Sequence, residues 1–237
     1  KLPLQYQPGS RWHYSVAVDI TGLVIERISG ISFDQYLSEN VFKPLGMNDT
    51  FFEVPKDKLS RLLPNHRWDA KQNKLAMLTG GIQELGVPDE NLAMVNCRQV
   101  SLYSGGRGLV STARDYMRFA EMLRNGGRLG DAQIIGTNTL QYMTRDHLTA
   151  VTSADGEDVP SGAFGFGLGF GLIVDSVKQG TMSAEGTFFW GGAAGTTFWV
   201  DPVEDIVGLA MIQAIGSRAS LTDDLGIAIY QAITDSD

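Results

Sequence analysis

The chain is 237 residues long, 43% of them apolar, with a net charge of −8. That length and apolar fraction allow a sizeable core in one or two closely packed domains. The Lys and Arg residues are scattered rather than gathered into a stripe, which excludes nucleic acid as the main partner, because phosphate binding needs a concentrated cationic surface.

No stretch reaches the uninterrupted apolar length of a membrane span, and no basic-then-apolar leader opens the chain. The first residue is Lys1, and residues 1–8 read as chain already in progress, which leaves the compartment open. The single Cys97 cannot form an internal disulfide and reads as a buried structural thiol.

Residues 15–29 space Val16, Ile20, Leu23, Val24 and Ile28 at intervals of three and four and stop at Gly30, which predicts a helix. A second helix is expected from Ser32, with Gln35 placed for a capping box, ending before Pro44. The pair is expected to bury Phe33, Tyr36 and Leu37 against the first helix. Residues 51–100 mix polar clusters, Pro55, Pro64 and Pro88 with short apolar pieces such as residues 75–78, and read as loops and short elements. Order returns at residues 104–108 (SGGRG). Ser111 or Thr112 then caps a helix through Tyr116, Phe119 and Leu123 to Gly126-Gly127, and another follows over residues 137–147.

Beyond these helices the period changes. Residues 164–174 alternate Gly with Phe and Leu, which suits a strand whose Gly face is closely approached by another element. Residues 196–200 and 206–213 are β-rich, and residues 201–205 (DPVED) make a hairpin turn between them. A helix over residues 221–233 closes the chain. The order is α+β: residues 1–150 form a mostly helical region carrying Tyr14-Ser15, and residues 151–237 form a sheet region carrying Trp190-Gly191-Gly192 and the last helix.

The chain has no G-x-S-x-G elbow, no H-E-x-x-H and no G-x-x-x-x-G-K-[ST]. His13, His66 and His147 lack metal-ligand spacing, and the glycines of residues 165–171 lack dinucleotide spacing, so neither a metal nor a cofactor is expected. Two features remain. Tyr14-Ser15 stands immediately before a helix start, where the local field favours an anion, and a phenol acts as a base only beside a cation that stabilises its phenolate. Residues 188–195 (FFWGGAAG) place small residues after a Trp, where free N–H groups on a strand edge can bind a developing oxyanion. Taken singly, Tyr14 reads more readily as a packed aromatic, and the glycines as a turn between strands.

Taken together, PGSRWHYS (8–15), a helix, KPLGM (43–47), SGGRGLVST (104–112) and WGGAAG (190–195) before a DPxxD hairpin resemble one family in order and spacing. That family is the β-lactamase-related serine hydrolases, which includes class C β-lactamases, D-Ala-D-Ala carboxypeptidases and family VIII carboxylesterases. The resemblance runs over most of the chain. It implies a β-lactamase/transpeptidase-like fold without its N-terminal strands and nucleophile helix. Family members carry a Ser-x-x-Lys nucleophile motif, a Tyr-x-Asn-like motif and a Lys-Thr-Gly-like strand. Tyr14-Ser15-Val16 matches the second and Trp190-Gly191-Gly192 the third, while no Ser-x-x-Lys occurs in residues 1–237, as N-terminal truncation would leave it.

The resemblance implies acyl transfer through a seryl ester, with Tyr14 as base and the Ala193 N–H as an oxyanion donor. Val16 stands where many β-lactamases have Asn, which removes an amide contact to an acylamino group. Trp190 stands where they have Lys, which removes a cation for a substrate carboxylate. An aromatic wall favours an uncharged, apolar group. The implied substrate is a small ester or amide, handled by a carboxylesterase first of all. The alternatives are a β-lactamase or D-amino-acid peptidase of the same fold, or a non-catalytic binding relative. Alone, the chain is expected to be catalytically silent and to need a second chain or an upstream segment to complete its fold. Ser104, Arg107 and Ser111 are explained as well by capping and turn formation, and stay outside the catalytic set.

Overall fold

The first helix, α1 (Ala17–Ser29), stops where the spacing predicts, at Gly30 in the left-handed conformation, φ 75°. The computed structural model describes residues 3, 4, 6–69, 71–77, 100, 102–148, 162–215 and 221–233; Leu78, Pro88, Cys97 and the junction at residues 150 and 151 lie outside the described residues. Ser15 stays outside the helix and accepts the Ala17 N–H through its hydroxyl at 3.2 Å. The apolar stripe does not face the second helix. Val16, Ile20, Leu23, Val24 and Ile28 are 44–82% exposed. The packed face is the one carrying Gly22, where ring carbons of Phe33 would lie 3.4 Å from an added Cβ.

The expected capping box at Ser32 does not form. Ser32 makes no side-chain cap to α2 (Phe33–Leu37), and Gln35 donates instead to Glu39 at 2.9 Å. The Phe33 N–H is met from α1, by Glu26 Oε1 at 2.9 Å, so a tertiary bond takes the place of the local one. Phe33 is buried, but Tyr36 and Leu37 are only half-buried. Nor does the helix stop before Pro44. A π turn (Ser38–Phe42) carries it into α3 (Lys43–Leu45), where Pro44 sits in the first turn and its missing N–H is no loss. Gly46, φ 65°, ends this run, and the Met47 N–H closes back on Phe42 O at 2.8 Å.

After a 3₁₀ turn (Lys56–Arg61), β1 (His66–Asp69) and β2 (Lys74–Met77) form an antiparallel hairpin inside the stretch that reads as irregular in sequence. The helix α4 (Ala113–Arg124) starts on Thr112, whose hydroxyl accepts from the Asp115 N–H at 3.2 Å. The buried Asp115 carboxylate takes the Asp49 N–H at 2.6 Å and the Thr50 hydroxyl at 3.1 Å, and Arg118 donates to Leu45 O, so α3 and α4 are tied along their length. The short hairpin β3 (Arg128–Leu129) and β4 (Ala132–Gln133) then leads to α5 (Thr137–Met143), one turn shorter than its sequence pattern suggests.

Residues 164–174 form two strands, not one. β5 (Phe164–Phe166) and β6 (Gly171–Ile173) fold back across a turn closed by Gly167 N–H to Phe170 O at 2.8 Å. A short α6 (Ser176–Gln179) precedes β7 (Phe188–Gly191), β8 (Thr197–Asp201) and β9 (Ile206–Ala210), and the five strands run antiparallel in chain order. β10 (Ala214–Ile215) leaves this sheet to pair in parallel with β1, a long-range contact with no local sequence signal. Leu172, Phe188, Val200 and Val207 line up across the sheet and face α4, where Leu172, Phe188 and Val200 join Met122 and Leu123 in the core and Val207 packs at its edge. On the opposite face, Tyr230 of α7 (Leu221–Ala232) donates its hydroxyl to Asp201 Oδ2 at 2.7 Å.

Asp201 is wholly buried, and the turn it opens is built around it. It accepts the N–H groups of Ala184 at 3.0 Å, Val203 at 3.0 Å and Glu204 at 3.1 Å, besides the Tyr230 hydroxyl. Burial alone raises a carboxyl pKa, but these hydrogen bonds together outweigh it and hold Asp201 below the usual carboxylate range. Tyr230 is pushed up to about 12, by burial first and then by the Asp201 carboxylate.

Candidate functional site

The segment that carries Tyr14 is aimed by a turn. Pro8 and Gly9 occupy the two central positions, Gly9 with φ 80°, and Ser10 N–H closes on Gln7 O at 3.1 Å. This is the geometry in which Pro followed by Gly is favoured. From it residues 11–14 run on to place the Tyr14 ring over Trp190 of β7, with centroids 5.9 Å apart and planes 27° from parallel. Tyr14 is 66% exposed, so the residue remains open to approach beside this contact.

Two further rings join this pair. Phe166 of β5 meets Trp190 edge-on at 5.3 Å, and Trp12 packs against Phe166 at 5.3 Å and Tyr14 at 6.5 Å. The four contacts close into a circuit drawn from the chain start, β5 and β7. Centroid separations of this size are the attractive range for aromatic pairs, each worth about 0.5–1.5 kcal/mol beyond the area buried. Neither Trp12 nor Phe166 stands out by periodicity. The turn signal within residues 166–170 (FGLGF) is the available clue that residues 164–174 fold back, which leaves Phe166 on β5 with β6 between it and the strand of Trp190.

After β7 the chain makes a tight turn. Gly192 N–H donates to Thr196 O at 2.8 Å, Gly195 N–H to Gly192 O at 2.9 Å, and Ala194 O accepts from the Ala214 N–H at 2.9 Å. Among the described residues nothing accepts from the Ala193 N–H. A Cβ at Gly192 would run into the Thr196 hydroxyl, whereas one at Gly191 would sit in ordinary contact with Thr196 O at 3.4 Å. A side chain at 192 therefore requires Thr196 to turn away, whereas one at 191 does not. Val16 stands at the N-cap of α1, two residues from Tyr14, with its side chain exposed.

The segment of residues 104–107 docks on the first turn of α1. The buried Ser104 hydroxyl donates to Asp19 Oδ1 and accepts the N–H groups of Gly106 at 3.2 Å and Arg107 at 3.1 Å. A Cβ at Gly105 would collide with Val18 O, so this approach is open to glycine alone. Asp19 also puts a carboxylate into the field at the helix N-terminus that the sequence alone assigns to an anion near Tyr14. The serine-glycine motif is thus accounted for by architecture. Among the described residues no group of three or more His, Cys, Asp or Glu is placed to hold a metal, and no helix is long and apolar enough to cross a membrane.

The "Beta-lactamase" family model matches residues 1–231. The chain is 33% identical over 218 residues to Protein Rv1367c of Mycobacterium tuberculosis, covering 90% of this chain and 51% of that protein. It is 30% identical to Esterase EstB of Burkholderia gladioli, covering 96% of this chain and 56% of that protein. Among solved structures, "EstCE1, a hydrolase with promiscuous acyltransferase activity" superposes with a TM-score of 0.79 at 26% identity, covering 97% of this chain and 59% of that one. The chain spans about half the length of the curated relatives it matches. The helices, the antiparallel sheet and the last helix together are the β-lactamase/transpeptidase-like fold, and by the match along its length the chain belongs to the beta-lactamase family.

Proposed function

We propose that the chain supplies the base and the apolar wall of a serine hydrolase acting on apolar carboxylic esters, with the nucleophile in a Ser-x-x-Lys outside residues 1–237. The observation that carries this reading is the Tyr14 ring laid on Trp190, with the turn that holds Ala193 directly after that strand. Tyr14 Oη, its phenolate stabilised by the Lys of that Ser-x-x-Lys, takes the proton of the serine hydroxyl as the serine oxygen attacks the ester carbonyl. The oxyanion is met by the Ala193 N–H, a kind of donor worth about 3–4 kcal/mol in the transition state. The tetrahedral intermediate collapses, the alcohol leaves with the proton held by Tyr14, and a seryl ester remains. Water then attacks the seryl ester with its proton taken by Tyr14, and as this second tetrahedral intermediate collapses the acid leaves and Tyr14 returns the proton to the serine oxygen. With Trp190 in place of a cation, the wall favours an uncharged acyl or alcohol group over the carboxylate of a β-lactam or a peptide. The same apolar surround admits a second alcohol as acceptor, which makes acyl transfer between alcohols the companion reaction.

The test begins with the coding sequence upstream of Lys1. A Ser-x-x-Lys there supports the enzyme; its absence assigns the chain to a non-catalytic binding relative. With that segment included, short-chain p-nitrophenyl esters are expected to be turned over far better than a chromogenic cephalosporin or D-amino-acid amides. Tyr14→Phe is expected to lower kcat by about 10²–10⁴-fold. Preference for penicillins over esters would refute the substrate class. Residues 1–237 alone are expected to give no burst and no labelling by a serine-directed phosphonate, and clear labelling would overturn the assignment.

A further inference from the structure

We propose that Trp12 and Phe166 are specificity-determining residues of this site, extending the Trp190 wall into a continuous aromatic surface that receives the aliphatic chain of the ester beside Tyr14. The inference rests on the hydrolase reading above and adds its substrate selectivity. The four rings make a closed circuit: Trp12 to Tyr14 at 6.5 Å, Tyr14 to Trp190 at 5.9 Å, Trp190 to Phe166 at 5.3 Å and Phe166 to Trp12 at 5.3 Å. Trp12, Phe166 and Trp190 are all only half-buried, so the surface is apolar and still accessible. A core cluster of this size would be closed to solvent, as Phe170, Phe188 and Phe198 are in the same protein.

The circuit also sets a direction. Tyr14 is its most exposed member and the one bearing a proton-transfer group, while Phe166 lies across the circuit from it, in ring contact with Trp190 and Trp12. A chain whose reacting carbonyl sits at the Tyr14 hydroxyl therefore runs along Trp190 and Trp12 towards Phe166 as it lengthens. Among the described residues no cation is in ring contact with any of the four, in contrast to Arg11, which lies 4.7 Å over Tyr6. The surface selects for hydrocarbon rather than for charge.

The experiment measures kcat/KM on the full natural chain for two ester series, one lengthening the acyl group from acetate to octanoate and one lengthening the alcohol at constant acetate. Each buried methylene is worth about fourfold in binding, so the unmodified protein should rise steeply in the series whose chain lies on the rings. Phe166→Ala and Trp12→Ala are expected to flatten that series, with a loss on the longest ester on the order of tenfold greater than on the shortest, equal to roughly two methylenes left in water. Phe166→Trp, which adds surface without opening a gap, is expected to move the optimum to shorter chains, and it serves if the alanine variants fail to fold. A merely structural role would lower every substrate by the same factor. Uniform loss, or unchanged profiles in both series, overturns the inference while leaving the hydrolase reading intact. No ester turnover by the unmodified protein would sink the hydrolase reading itself.

Discussion

Replacing Asp201 with Asn is the sharpest test of how the sheet is held. The carboxylate accepts four hydrogen bonds and is wholly buried. Asn brings a single oxygen, best kept facing Val203 and Glu204, where it still accepts both N–H groups of the turn. Its amide nitrogen then replaces Oδ2. Tyr230 can rotate its hydroxyl to accept, but the Ala184 N–H is left facing another donor. Each bond to a charged acceptor is worth about 1.5–3 kcal/mol against about 0.5–1.5 kcal/mol for a neutral one, and an orphaned buried N–H costs about 1–3 kcal/mol. The replacement should therefore destabilise the protein by about 3–5 kcal/mol. Tyr230→Phe removes one charged bond and leaves three, and should cost about 2 kcal/mol. Urea denaturation followed by tryptophan fluorescence reads both, since the buried Trp199 lies two residues from Asp201 on the same strand. A loss under about 0.5 kcal/mol for Asp201→Asn, the size of an ordinary surface change, would refute the account of the turn as organised by this carboxylate.

Gly105→Ala should cost at least about 2 kcal/mol, because the added methyl meets the backbone carbonyl of Val18 and not a side chain able to swing away; an unchanged melting temperature would mean that residues 104–107 are not seated on α1. Gly226→Ala is the opposite case. It lies within α7, and its added methyl meets nothing within 4 Å, so the same substitution should stabilise by about 0.5–1 kcal/mol, read by thermal melting. Asp49 accepts from both terminal guanidinium nitrogens of Arg61, at 3.0 and 2.9 Å, and from Lys58 at 2.7 Å, and these hold its carboxyl down at about 2. Its folded value lies below the ordinary value near ~3.9, so its contribution to stability is fully present above about pH 4 and fades as the pH falls towards about 2. A carboxyl NMR titration of Asp49 with its midpoint near ~3.9 would contradict the pairing.

Local physics made part of the molecule legible. The end of α1 at Gly30, the Thr112 cap of α4 and the turn at residues 201–205 each depend on a few neighbouring residues, and each appears where its pattern places it. The misses are mostly non-local, the π turn before Pro44 being the local exception. Phe33 takes its cap from Glu26 of the preceding helix, the π turn lets Pro44 be absorbed, and β1 finds its second partner in β10, far along the chain. The same division runs through the candidate site. Tyr14 and Trp190 could be picked out through motifs, and the structure brings their rings together. Phe166 reaches the cluster because β5 folds back on β6, which the glycines at 167 and 169 hint at but the alternation of Gly and Phe does not fix, and Trp12 reaches it only through the docking of the segment before α1.

The stacking of Tyr14 on Trp190 joins a residue near the start of the chain to one far along it. Contacts of such wide sequence separation form late in folding, after the loop between them has closed. A partly folded chain with its helices intact therefore has a tyrosine and a tryptophan but no site. The Tyr14–Trp190 pair arrives with the final ordering of the sheet, and on the proposed reading refolding of the full natural chain followed by ring stacking in the near-ultraviolet should proceed at the same rate as the recovery of esterase activity.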